Sequence, residues 1–318
     1  MMDWSDRHCR YFFRKLSLRA VVYTEMVTTG ALIHGGVERH LRFDAAECPV
    51  ALQLGGSDPV QLAHCALLGE QYGYDEINLN CGCPSERVQH GAFGACLMAE
   101  PRLVADCIKA MRDAVSIPVT VKHRLGIDSI EAYGFVRDFV GTLADAGCET
   151  FFVHARNAVL KGLSPKDNRE VPALKYDYVY RLKRDFPRLR IVLNGGVDKL
   201  DAIESHLAQV DGVMLGRLAY HDPYVLAQAG VRMFGEPPRP RGAIVEDMFA
   251  YAADQVSAGK PLRAIVRHML GLYHGQPNAR VWRRMLSDAR LLAANQPDLL
   301  LDAMQATEDG MSALAAVA

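Results

Sequence analysis

Seven short runs rich in Val, Ile, Leu and aromatic residues recur along this chain, and most are followed by a stretch long enough to form a helix. They are VVYTEMV from Val21, VALQLG from Val50, EINLN from Glu76, PVTVKHR from Pro118, TFFVHA from Thr150, RIVLNGG from Arg190 and DGVMLG from Asp211. Runs of this length and composition read as buried strands. Between them, residues 59–72, 101–114, 129–146 and 176–186 read as helices, with Ser57 and Asp58 offering a cap ahead of Pro59. Strand and helix in alternation imply a parallel sheet with right-handed crossovers. A closed (β/α)8, or TIM, barrel needs eight strands. Either the sheet is open and doubly wound, or one strand is absent or disguised.

At 318 residues the chain has room for such a barrel and more. Gly235, Pro237, Pro238, Pro240 and Gly242 then mark a linker, and everything from Ala243 on has a helical pattern with no strand-like run. The expected organisation is a barrel over 1–235 and an all-α domain over 243–318. Half the residues are hydrophobic, which excludes a disordered chain. Eight cysteines spread irregularly read as reduced thiols in a reducing compartment, with Cys48, Cys65, Cys107 and Cys148 expected to be buried and inert. No run of about 18 apolar residues occurs, and the N-terminus lacks a signal pattern. A cytoplasmic protein is expected.

The ends of the strands carry the most information. Glu25, Gln53, Asn80, Lys122 with Arg124, His154 with Arg156, Asn194 and Arg217 stand at the C-terminal ends of strands that are otherwise apolar. In a barrel these ends converge on one mouth, where active sites are built. One polar strand end means little; seven would ring a single pocket with hydrogen-bonding groups. The last two strands end in Asn194-Gly195-Gly196 and Gly216-Arg217, and glycines there let backbone N–H groups approach an anion at the usual phosphate site of a barrel. A plain turn is the alternative for Gly-Gly alone; with an arginine one strand on, the pattern favours a phosphorylated cofactor. Flavin mononucleotide (FMN) would fit, with Lys122 placing positive charge beside its ring. Alternatively, Lys122 pairs with a nearby carboxylate.

The third run leads into Asn80-Cys81-Gly82-Cys83-Pro84-Ser85. Structural zinc needs four ligands in spaced pairs, which the other cysteines and histidines do not offer, so no metal is expected. A thiol on a loop leaving a barrel strand can act as an acid as well as a nucleophile, because a cysteine with a reference pKa of about 8.5 is mostly protonated near neutrality.

Several long motifs resemble the tRNA-dihydrouridine synthases, and in detail their A subfamily: YTEMVTTGALIHG, VALQLGGSDP, EINLNCGCPSERVQHGAFGACLM, VKHRLGID, HARNAVLKGLSPKDNRE and WRRMLSD. The resemblance covers nearly the whole chain. It implies an FMN-containing TIM barrel with a C-terminal helical domain that reduces the C5–C6 double bond of tRNA uridines with NADPH, at D-loop positions 20 and 20a. By motif it makes Cys83 the proton donor. It assigns Gln53, Lys122, His154, Asn194, Gly195, Gly196, Gly216 and Arg217 to FMN, and Asn80, Lys166, Arg169, Arg280 and Arg283 to tRNA. In relatives a short strand ending in Ala-Pro precedes the element that begins here at Met1. The first strand is therefore expected to be the missing one, leaving an open seam, an unpaired edge and an incomplete flavin floor at Met1 and Met2.

A net charge of −1 hides two basic segments: ten Lys and Arg against four acids over 156–190, and seven against Asp288 over 260–290. Solvated helix faces are the ordinary reading of such runs; together they could form a phosphate-tracking groove. Two rival readings stand beside the synthase: an FMN barrel dehydrogenase acting on a free pyrimidine, and a non-catalytic RNA-binding barrel. A monomer is expected.

Overall fold

Parallel pairing joins the strands in the order β1 (Val22–Tyr23), β3 (Val50–Gly55), β4 (Glu76–Cys81), β5 (Val119–His123), β6 (Thr150–His154), β7 (Arg190–Asn194) and β8 (Gly212–Met214), with β2 (Val27–Thr28) also on β3. This is a computed structural model, which describes residues 1–85, 88 and 91–315. All seven apolar runs become strands. Among the described residues β1 and β8 are the two ends of the path, so the TIM-like barrel is open along one edge. The run from Val21 splits into two short pieces, because Thr24 turns its N–H to Ala51 and its hydroxyl to the Gln53 N–H between them.

Helices fill the crossovers. Asp58 caps Pro59–Gln71 by accepting from the Gln61 N–H at 2.8 Å. Gly69 lets that helix close on the sheet: a Cβ there would stand 2.7 Å from Ile77 and 2.8 Å from Leu52. Pro101–Ala114 buries Val104, Cys107, Ile108 and Met111 at i, i+3, i+4 and i+7 spacing. The third crossover helix spans Tyr133–Asp145 and starts later than the pattern predicts, since Ile127 and Ile130 bond to each other in a tight turn. Two aspartates tie neighbouring strands at their starts: Asp75 accepts from the Val50 N–H and Asp211 from the Ile191 N–H.

The packing divides the chain into two compact units, one formed by 1–2, 23–43 and 48–216 and the other by 3–22, 44–47 and 217–318. The second unit is helical and reaches further up the sequence than the composition change at Gly235. Its core includes Trp282, whose indole N–H donates to the Met269 carbonyl, and Tyr273. The pattern at 279–295 resolves into Ala279–Ser287 and Ala289–Ala293, broken where Asp288 caps the second helix. No helix among the described residues is long and apolar enough to cross a membrane.

In the helical unit, Glu47 is wholly buried and its carboxylate receives Arg10 Nε at 2.6 Å, while its carbonyl receives Arg14. Breaking a buried pair strands a charge, whereas replacing both partners does not. Glu47→Leu should therefore cost about 3 kcal/mol in denaturant unfolding, and the double variant Arg10→Met with Glu47→Leu should recover most of that loss.

Candidate active site

Side chains alternate along a strand, and neighbouring parallel strands keep register partners on the same face. Gln53 lies beside Asn78, Asn78 beside Thr120, Asn80 beside Lys122 and His154 beside Asn194. The inward side chains therefore stack in layers up the barrel. Tyr23 and Phe152, from strands far apart in the order, meet edge to face with ring centroids 5.3 Å apart in the interior. Polar groups lie above and between them. Asn80 Oδ1 accepts from the N–H groups of Gly82 and Cys83, both at 3.0 Å, and this turn presents Cys83. Asn80 Nδ2 donates to Gln53 Oε1 at 2.8 Å. The structure thus places Asn80 beneath the Cys83 turn, only 9% exposed.

The two cysteines of the Cys-Gly-Cys element part company. Cys81 is buried among Cys96, Cys107 and Cys148, and burial raises its pKa well above the usual thiol range. Cys83 is half-buried, within electrostatic reach of Lys122 and Arg124. Cys48, expected to be buried, is instead exposed. It sits on the loop before β3, two residues ahead of the first buried strand position at Val50.

Positive charge gathers at the mouth. Lys122 is half-buried and has no hydrogen-bond or ion-pair partner among the described residues. Burial, with Arg124 adding to it, pulls its pKa down to about 8. The carboxylate pairing considered for Lys122 is not formed among the described residues. Arg124, 3% exposed, donates Nε to the Gly82 carbonyl at 3.2 Å and Nη1 to the carbonyls of Asn157 and Asn168 at 3.1 and 2.9 Å, so one guanidinium pins the loops after β4 and β6. His154 is held far below the ordinary imidazole range, first by burial and then by Arg124, Lys122, Arg156 and Arg169. It is a neutral ring near pH 7.

The glycine turn after β7 abuts this ring. Gly195 and Gly196 have φ of 102° and 72°, and a Cβ on Gly195 would stand 2.4 Å from the His154 imidazole. Only glycine fits there. Tyr176 donates its hydroxyl to the Gly195 carbonyl and Asn194 Nδ2 donates to the Met214 carbonyl, while the amides of Gly195 and Gly196 donate to no described residue. Gly216 follows β8, and a Cβ on it would find only Met1 Sδ at 3.6 Å. Met1 and Met2 are 41% and 60% exposed. A glycine cradle with unused N–H groups, a partnerless lysine and a neutral histidine fit a group carrying a phosphate and an electron-accepting ring.

The remaining expected residues are more scattered. Lys166 is exposed ahead of the short turn Asp167–Arg169, whose Asn168 side chain ties back to Val159. Arg217 opens the helix Arg217–His221 of the second unit. Arg280 and Arg283 lie exposed on Ala279–Ser287, opposite the buried Trp282 and Leu286. Glu76, Asn78, Thr120 and Asn168 are not among the residues expected at the site from the sequence. The E-x-N-x-N alternation of β4, polar at every inward position of a buried strand, was the available signal. Glu86, Arg87, Gln89 and His90 of the cysteine-containing motif lie outside the described residues.

Fold and site together define a TIM-like barrel enzyme with positive charge gathered at its mouth. The sequence matches the dihydrouridine synthase (Dus) family over residues 1–308, and the chain belongs to that family. It is 58% identical over 304 residues to a tRNA-dihydrouridine(20/20a) synthase of Pseudomonas syringae pv. tomato, covering 95% of this chain and 90% of that protein. Proteins of the same name from Salmonella typhi and Synechocystis sp. are 54% and 53% identical, covering 97% and 96% of this chain and 94% and 92% of theirs.

A lysine whose pKa falls on folding opposes folding while it is charged. Wild-type stability without ligand should therefore rise with pH between about 8 and the ordinary 10.5. Lys122→Met should be more stable below pH 8 by on the order of 1 kcal/mol, and should lack that rise in denaturant titrations across the pH series. A variant less stable at every pH would contradict this electrostatic account.

Proposed function

We propose that this chain reduces the C5–C6 double bond of D-loop uridines 20 and 20a in tRNA to 5,6-dihydrouridine, with FMN as resident cofactor and NADPH as reductant. The observation that carries the reading is the Cys83 turn, held by Asn80 beside Lys122 and Arg124 at the barrel mouth. Asn194, Gly195, Gly196, Gly216 and Arg217 would hold the FMN phosphate. Gln53, Lys122 and His154 would face its ring, with Met1 and Met2 beneath. When bound, FMN supplies the hydride that uracil C6 receives.

The chain's own part is proton and charge management. Uracil C5–C6 is conjugated to the C4 carbonyl, so addition at C6 leaves an enolate that needs a proton at C5. Cys83 Sγ–H gives it, as a general acid. His154 does not compete, because a neutral imidazole in this field of cations has no acidic imidazolium proton to give near pH 7. Lys122 supplies positive charge where electron density accumulates. The target uridine leaves its stack to reach the mouth at a cost of a few kcal/mol; loop uridines meet that cost more easily than helical ones.

Residues 1–235 would carry the chemistry and 243–318 recognise tRNA, in a monomer acting in the cytoplasm. Part of the first basic segment is structural, since Lys175 pairs with Glu131 at 2.5 Å and Lys183 with Asp211 at 2.8 Å. Lys166 and Arg169 are the tRNA contacts assigned on that segment, with Asn80 at the mouth. In the second unit Arg280, Arg283 and Arg284 share one exposed face and have no ion-pair partner among the described residues. A free pyrimidine would leave that face without a role.

Two experiments test this. Cys83→Ala should still have its flavin bleached by NADPH yet fail to turn over tRNA; full turnover would refute the assignment. Affinity for tRNA should fall steeply with salt, and Arg280→Ala with Arg283→Ala should lower the log–log slope by about 2. A flat salt response would sink the basic-face reading.

A further inference from the structure

Below the mouth, an unbroken hydrogen-bond chain runs through the first unit from Tyr23 to the Cys83 turn. We propose that Glu76, Asn78 and Thr120 are positioning residues that set the polarity of the Gln53 and Asn80 carboxamides and, through Asn80, hold Cys83 in place. The proposal rests on the reading of Cys83 as proton donor.

The polarity follows from the two ends. At the top, the Gly82 and Cys83 N–H groups can only donate, so Asn80 must present Oδ1 to them. Its Nδ2 then donates to Gln53 Oε1 at 2.8 Å. Gln53 Nε2 donates to Asn78 Oδ1 at 3.1 Å, and Asn78 Nδ2 to Thr120 Oγ1 at 2.8 Å. The single Thr120 hydroxyl proton goes to Glu76 Oε1 at 2.7 Å, in preference to the Ile77 carbonyl at 3.4 Å. At the bottom, the Tyr23 hydroxyl donates into the same oxygen at 2.9 Å.

Both donors land on Oε1, so this end accepts whether or not Glu76 carries a proton on its other oxygen. Burial raises the Glu76 carboxyl, and burial together with Glu76 keeps the Tyr23 phenol protonated. The two ends demand the same direction. Turning over any one amide would set oxygen against oxygen and N–H against N–H in the interior, where Asn78 is wholly buried and Thr120 is 2% exposed. Strand register makes the chain possible by placing Gln53, Asn78 and Thr120 side by side on three adjacent strands. The bonds are mutually dependent. Removing the middle of the chain leaves the Gln53 and Asn80 amides held from the top alone.

Thr120→Val keeps the shape and removes both the donor and the acceptor; Thr120→Ser restores them. The holoenzyme is followed in two half-reactions: flavin reduction by NADPH, and reoxidation by tRNA in a single turnover. Alkylation of Cys83 by iodoacetamide, with Cys83→Ala as the background for other thiols, is measured alongside. In Thr120→Val, flavin reduction should stay within about twofold of wild type, while the tRNA-dependent step should slow about tenfold or more and the Cys83 alkylation rate should change by about threefold. Thr120→Ser should recover both. Asn78→Asp, which has no N–H to give Thr120, breaks the chain at the same bond and serves if Thr120→Val does not fold.

Wild-type rates of reoxidation and alkylation in the broken-chain variant would overturn the proposal, as would a Thr120→Ser variant as defective as Thr120→Val. A wild-type holoenzyme that tRNA cannot reoxidise would instead overturn the reading of the reaction, and the alkylation comparison would still decide whether the chain holds Cys83.

Discussion

A six-residue strand of a parallel barrel can direct only three side chains inward, and β4 fills all three places with polar groups: Glu76, Asn78 and Asn80. Polar groups in a barrel core are tolerable only when each finds a partner. Here Gln53 and Thr120, from the two flanking strands, and Tyr23, from β1, supply those partners. The site's geometry depends on this arrangement. The topmost member, Asn80, anchors the turn that carries Cys83, and its register neighbour Lys122 stands at the same level with no ion-pair partner among the described residues.

Two layers of the barrel thus do different work. The lower polar layer is satisfied internally. Among the described residues, the upper layer keeps unmet demands: the Lys122 ammonium and the amides of Gly195 and Gly196. Arg124, buried and donating to the carbonyls of Gly82, Asn157 and Asn168, adds charge while bracing those loops. An anionic ligand would satisfy the upper layer without disturbing the lower one.

The architecture was legible because strand–helix alternation is a periodic signal, and every apolar run from Val21 to Asp211 became a strand. Helix starts were less so. The helix after β5 begins at Tyr133, not Ser129, because the Ile127–Ile130 turn takes up the residues before it. At the site, the polar strand ends pointed to the mouth and Gly-Gly to its cradle. What could not be read was which polar residues serve each other. Asn80 reads from the sequence as one polar strand end among several, and its bonds to Gln53 and to the Cys83 turn are a matter of three-dimensional register. Cys48 looked like a core thiol because residue type alone favours burial, yet its position before β3 puts it outside. The near-zero net charge likewise concealed which cations were already paired: Lys175 and Lys183 are, whereas Arg280 and Arg283 have no ion-pair partner among the described residues.

The central claim is that this mouth reduces D-loop uridines. It is tested most directly by incubating the purified protein with NADPH and an unmodified tRNA transcript, then mapping the digested RNA by mass spectrometry. The account predicts the gain of two hydrogens at uridines 20 and 20a and nowhere else in the D-loop. A transcript unchanged in mass at both positions, from protein whose flavin NADPH does reduce, would contradict it.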